Sequence, residues 1–161
     1  MSFLDYAPAP ESTSVLHLRD SYGLFIDGQW QAGSGGTFDP ISPSTQERIT
    51  TVALADESDV DRAVAAARRA YDGEWSRLTG AERGRFLFRI ARLVQERARE
   101  LAVAESLDNG KPIKETRDVD IPLVAAWFFH YAGWADKLEY AVPGMPTPRA
   151  LGGAAQVIPW D

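Results

Sequence analysis

Two histidines, His17 and His130, are the side chains best suited to move protons near neutral pH. Neither has a carboxylate or a second histidine spaced to work with it. His17 sits between leucines in a stretch without periodicity and reads as a solvated residue. His130 sits inside an apolar run and reads as a hydrogen-bonded core residue. The sequence contains no cysteine. A thiol nucleophile, a thiolate metal site and a disulfide are therefore excluded from these 161 residues. No histidine–carboxylate spacing points to a divalent metal, and neither a Gly-x-Ser-x-Gly elbow nor a Gly-x-Gly-x-x-Gly fingerprint occurs. The Gly-Ser-Gly-Gly run at 33–36 lacks the strand-to-helix passage and the Lys-Ser/Thr pair of a phosphate cradle, so a plain turn is expected. Arg85, Arg89 and Arg92 share one side of a helical stretch. They read as a solvated face laced by Glu–Arg pairs rather than a partner site.

Composition narrows the remaining classes. Hydrophobic residues make up 45% and charged residues 25%, a globular balance that argues against disorder. The net charge of −6 argues against nucleic acid or an anionic membrane as the main partner. The most apolar stretch, 121–135, is interrupted by Pro122, His130 and Gly133 and is too short for a membrane span. With no disulfide chemistry and no signal peptide, the cytoplasm is the expected compartment.

The elements that must position any site follow in order. Residues 1–20, with Pro8 and Pro10, read as a flexible arm. "LFIDGQW" reads as a β-hairpin, because Asp27-Gly28 supplies two positions tolerant of positive φ between apolar residues. Phe38 to Pro43 is held extended by its prolines, and Arg48 to Ala53 is β-branched and strand-like. Ser58, among Asp56, Glu57 and Asp59, marks a helix start. Val60, Ala63, Val64, Ala67 and Tyr71 then form an apolar stripe expected to pack closely. Thr79-Gly80-Ala81-Glu82 is a capping box. It opens one long helix with Phe86, Ile90, Leu93, Val94, Leu101 and Ala104 on its buried face, ending near Asn109-Gly110. Asp120 is expected to cap a last helix with Pro122 in its first turn. That helix is apolar all round, so burial is expected. Ala141 to Pro148 reads as extended, and Gly152-Gly153 precedes a final apolar strand.

Four collinear segments carry more information: "LFIDGQW", "FDPISPSTQERI", "ESLDNGKPIKE", and "FFHYAGWADKL" leading to "QVIPWD". Together they resemble the N-terminal portion of the aldehyde dehydrogenase superfamily. The resemblance implies an α/β fold. This chain would supply a mostly helical part with an N-terminal β-hairpin and the first strand of a Rossmann-like cofactor domain. It divides the chain into the arm, 1–20, and an N-terminal segment of the family fold, 21–161, without the catalytic domain. It implies an enzyme that oxidises an aldehyde to a carboxylate with NAD or NADP, through a thiohemiacetal on a cysteine and hydride transfer to the nicotinamide.

Residue roles carry over only where the motif matches. Val157, Ile158, Pro159 and Trp160 match the family segment that lines the cofactor cleft. Asp161 stands where the family has an asparagine whose amide donates to the developing oxyanion. An ionised aspartate only accepts, so this position departs from the pattern. Asp108 matches an aspartate that helps hold a structural monovalent cation, together with a backbone carbonyl in the segment of Ile41. A helix-end cap is the competing reading of Asp108. The family's cysteine, glutamate base and ribose-binding lysine all follow the matched segments. The chain alone is therefore expected to be catalytically incompetent. The alternative is a non-catalytic interaction module that pairs with another chain. The expected partners are a small-molecule aldehyde and either further copies or a complementing chain. An uncovered 127–134 helix face and an unpaired strand at 156–158 would favour self-association.

Overall fold

The computed structural model describes residues 11–138. The expectations for residues 1–10, for the proline-rich stretch, for Gly152-Gly153 and for the final apolar strand lie outside the described residues.

Strands come first and are short: β1 (Ser21–Tyr22), β2 (Leu24–Ile26), β3 (Gln29–Gln31), β4 (Thr37–Phe38) and β5 (Thr51–Ala53). The hairpin β2–β3 forms as its sequence dictates, with Ile26 opposite Gln29 and both turn residues at positive φ, Asp27 at 55° and Gly28 at 77°. A second sheet has the order β1-β5-β4, with β1 parallel and β4 antiparallel to β5. Residues 11–20, the second half of the expected arm, are docked. A 3-10 turn at Thr13–Val15 lies against the helix that ends at Asn109.

The helix α1 (Glu57–Ala70) begins at Asp56, not Ser58. Asp56 is extended and its side chain takes the Asp59 N–H, while the Asp59 carboxylate reaches back to the Asp56 N–H at 3.0 Å. Ser58 donates its hydroxyl to Asp56 and accepts from Arg62, and caps no backbone N–H. Asp59 is 1% exposed and also accepts from the Ser34 N–H at 2.7 Å and pairs with Arg62. The Gly-Ser-Gly-Gly run is thus the plain turn expected, stitched to the first turn of α1. The stripe that was expected to pack does not: Val60 and Val64 are both more than half exposed, and Ala66 is buried instead. Beyond Ala70 the chain continues in a π turn, Tyr71–Trp75, kinked at Gly73.

The capping box at Thr79 is present in full, and α2 (Gly80–Glu96) follows it. The expected long helix is broken at Arg97 (φ −108°, ψ 19°), and α3 (Ala98–Asn109) leaves in a new direction. No proline or glycine marks the break. Arg97 binds Glu100 through two hydrogen bonds of 2.6 and 2.9 Å, which satisfies the side chain at the bend. Gly110 at φ 75° ends α3. Helical structure then resumes earlier than expected, with α4 (Ile113–Glu115), a π turn at Thr116–Asp120, and α5 (Ile121–Trp134). Asp120 is therefore mid-helix rather than a cap. The π turn ends just before Pro122, which lacks the N–H of a regular helix. The buried Thr116 hydroxyl donates to Ala102 and ties this turn to α3.

The principal packing is α2 against α5. A Cβ on Gly80 would stand 2.3 Å from the Ala135 carbonyl, and one on Gly84 would stand 2.8 Å from that of Ala132. Ala91 and Ala125 are buried in the same contact, and Phe88 meets Phe129 edge to face at 4.9 Å. Small residues set the core face of α2, so Phe86, Ile90 and Leu93 are left exposed on its other side. Likewise α5 buries Ile121 and Ala125 and exposes Leu123, Trp127, Tyr131 and Trp134.

Two outcomes follow. Thr79→Ala removes an N-cap bond and should cost about 1 kcal/mol, read as a lowered denaturant midpoint with unchanged slope. The Asp59 carboxyl is held below the usual carboxylate range, first by the Ser34 and Asp56 N–H groups and then by Arg62. Because its folded pKa is depressed, its stabilisation is present above the ordinary carboxylate pKa and is lost as pH falls through the lowered value. Thermal melts from pH 5 to pH 2 (the acid range where carboxylates titrate) should fall less steeply for Asp59→Asn than for the parent chain.

Candidate functional site

Of the predicted site residues, Asp108 near the end of α3 and Ile41 in the turn at 40–48 lie among the described residues. The turn is closed by Ser42 N–H to Glu47 (2.9 Å), Gln46 N–H to Ser42 (2.8 Å) and Ile49 N–H to Pro40 (2.8 Å), with Gln46 at φ 59°. These bonds flank Ile41, which bridges to Arg48. Among the described residues the Ile41 carbonyl accepts no hydrogen bond. The next residue, Ser42, is 2% exposed, and its hydroxyl is a buried polar atom with no partner among the described residues.

Asp108 lies one residue before the end of α3, exposed and without a hydrogen bond or ion pair among the described residues. A Cβ on Gly110 would stand 3.1 Å from Pro43, so the loop after α3 rests on the 40–48 turn. That loop is fixed from within. Ser106 donates its hydroxyl to the Lys111 carbonyl at 2.7 Å, and the Asn109 side-chain oxygen accepts from the Lys111 N–H at 2.7 Å. Lys111 also pairs with Asp120, which pushes its ammonium pKa up. This pair connects the loop to the start of α5. Asp120 was expected as a cap, and nothing in the spacing of Lys111 and Asp120 announces the pairing. The sequence did carry a signal for Asp59, because aspartate three residues after Asp56 is a capping-box position.

Elsewhere the candidates separate. Val157, Ile158, Pro159, Trp160 and Asp161 lie outside the described residues. His17 is exposed, as expected for a solvated residue. His130 is also exposed and is no core residue. Its ring lies edge-on to Trp127 at 5.9 Å and to Tyr131 at 5.3 Å, because α5 turns its smaller residues toward α2. The arginine side of α2 is solvated, but the expected Glu–Arg lacing is absent among the described residues. Arg92 donates to Gln95 instead. No three His, Cys, Asp or Glu side chains gather as metal ligands among the described residues, and no helix there is long and apolar enough to cross a membrane.

Known proteins place this architecture. The profile of the aldehyde dehydrogenase family matches residues 30–161. An aldehyde dehydrogenase of Alternaria alternata is 42% identical over 147 residues, covering 86% of this chain and 30% of that protein. PnpE, solved in complex with nicotinamide adenine dinucleotide, is 46% identical with a TM-score of 0.69 over 72% of this chain and 24% of that one. The NAD-dependent aldehyde dehydrogenase of Sinorhizobium meliloti gives 41% and 0.69, covering 73% of this chain and 24% of that one. The chain spans about a third of the length of the curated relatives it matches. The mostly helical part with its short strands is a portion of their α/β fold. Sequence profile, identity and backbone agree that this chain belongs to the aldehyde dehydrogenase family.

Proposed function

We propose that this chain, with residues 21–161 in the family fold, is the opening segment of an oxidoreductase that converts an aldehyde to a carboxylate with NAD or NADP. The observation that carries the reading is the 46% identity to PnpE, which was solved with the dinucleotide, over a stretch where the backbones also agree. When bound, the dinucleotide takes the hydride. Val157, Ile158, Pro159 and Trp160 are the proposed lining of its cleft, on the first strand of a Rossmann-like domain. Asp161 takes the oxyanion position, where its carboxylate would oppose the charge that an asparagine would stabilise. These 161 residues hold no cysteine, so the nucleophile has to come from outside them. The chain by itself is then inactive and works joined to the rest of such a fold, in one polypeptide or with a complementing chain, and a homo-oligomer is the further proposed association. The uncovered apolar sides of α1, α2 and α5 support pairing of this kind. The proposed compartment is the cytoplasm.

The 161-residue chain should reduce neither NAD nor NADP when mixed with aldehydes. Fused to the cysteine-bearing remainder of a family member, it should form the reduced nicotinamide. In that fusion Asp161→Asn should raise kcat by about a hundredfold, the usual worth of an oxyanion donor. Turnover by the chain alone would overturn the proposal. So would a folded fusion that stays silent, which would favour the non-catalytic interaction module.

A structural monovalent cation between Asp108 and the Ile41 carbonyl is part of the same proposal. The donor set suits a hard cation: among the described residues, one unpaired carboxylate, one carbonyl without a hydrogen bond, and the orphaned Ser42 hydroxyl beside it. Melting temperature should be higher in potassium or sodium chloride than in tetramethylammonium chloride at equal ionic strength, and Asp108→Asn should abolish the difference. Equal melting of the parent chain in all three salts would exclude the site.

A further inference from the structure

Residues 11–20 are fastened unequally at their two ends. At the C-terminal end the fastening is covered and backbone-based. The Thr51 N–H donates to the Asp20 carbonyl at 3.2 Å, and the buried Thr50 hydroxyl donates to the Arg19 carbonyl at 2.8 Å. The Arg19 guanidinium also lies over the rings of Tyr22 and Trp30, at 5.9 and 5.6 Å. At the N-terminal end the fastening, among the described residues, is one carboxylate. Glu11, its side chain only 10% exposed, accepts two hydrogen bonds from Arg99, at 2.9 and 3.1 Å. Its other oxygen lies 3.5 Å from Arg117, whose guanidinium is already held by Asp118.

Between these ends the segment bonds to itself. The Val15 and Leu16 N–H groups return to Ser12 and Thr13, and residues 12–18 send no hydrogen bond to α3 among the described residues. Glu11 and Thr13 of this segment form one wall of a partly open cavity of about 250 Å³, whose other walls include Ser44, Val103, Leu107 and Lys111. Its floor includes the loop that follows Asp108.

We propose that residues 11–18 are a strap, latched by Glu11 between Arg99 and Arg117, that swings on its Thr50–Thr51 anchorage and uncovers the cavity between α3 and the 40–48 turn. The latch is electrostatic and Arg99 is 66% exposed, so salt weakens it while leaving the anchorage intact. Opening is a local event, separate from loss of the α2–α5 packing. It holds whether or not a cation sits at Asp108.

The cysteine-free sequence makes a clean test possible in the full chain. Val103→Cys, nearly isosteric and 4% exposed, places a thiol under the strap, and Ala91→Cys places one in the α2–α5 core as a control. Adding Glu11→Gln should speed labelling at position 103 by about tenfold and change position 91 by less than about twofold, as expected of local opening. Raising sodium chloride should speed labelling at 103 in the Glu11 chain but not in the Glu11→Gln chain. The proposal is overturned if both positions accelerate together, if Glu11→Gln leaves position 103 unchanged, or if salt acts equally on both chains.

Discussion

At Gly84 there is room for a hydrogen and no more, because the Ala132 carbonyl of α5 occupies the space a methyl group would need. The same holds at Gly80 against Ala135. This close approach is the constraint on which the rest depends. It fixes which side of α2 faces inward, and with it which side of α5 does. It also leaves most of the large apolar residues of both helices exposed, the Phe88–Phe129 pair excepted. A contact between small residues loses little side-chain freedom and gains dense van der Waals packing. A contact through Phe86, Ile90 and Leu93 would have held the helices farther apart.

From that pair the chain is tied outward by polar anchors rather than by a large apolar core. Asp59 holds the turn at 33–36 to α1, Thr116 holds the π turn to α3, and Lys111 with Asp120 joins the loop after α3 to α5. Each anchor is a buried or half-buried polar group with its hydrogen bonds made, which gives direction to contacts that apolar burial alone would leave loose. The candidate cation loop inherits its rigidity from two of these ties. The apolar faces of α1, α2 and α5 remain uncovered by the described residues, in a chain that spans about a third of its curated relatives.

Much of this was legible in the sequence wherever the signal is local. Asp27-Gly28 specified a turn with two positive φ values, Thr79 with Glu82 specified a cap, and Gly110 specified a helix end, because each depends on the backbone of a few neighbouring residues. The family was legible too, since long collinear segments survive without knowledge of their packing. Ser58 was the wrong cap by two residues, because an acid-rich stretch offers several acceptors and only the extended backbone at Asp56 selects one.

What the sequence determined by itself, then, is the locally encoded turns and helix ends, such as Asp27-Gly28, Thr79 and Gly110, and which family the chain belongs to. The tertiary structure alone decided which faces meet. Periodicity marked Phe86, Ile90 and Leu93 as an apolar face but could not say that a Gly–Ala face would win the contact with α5. Nor could it show the break at Arg97, the pairing of Lys111 with Asp120, or the seat of Glu11 between Arg99 and Arg117. Those depend on groups brought together from distant parts of the chain, and apolar spacing along one helix carries no record of its partner's shape.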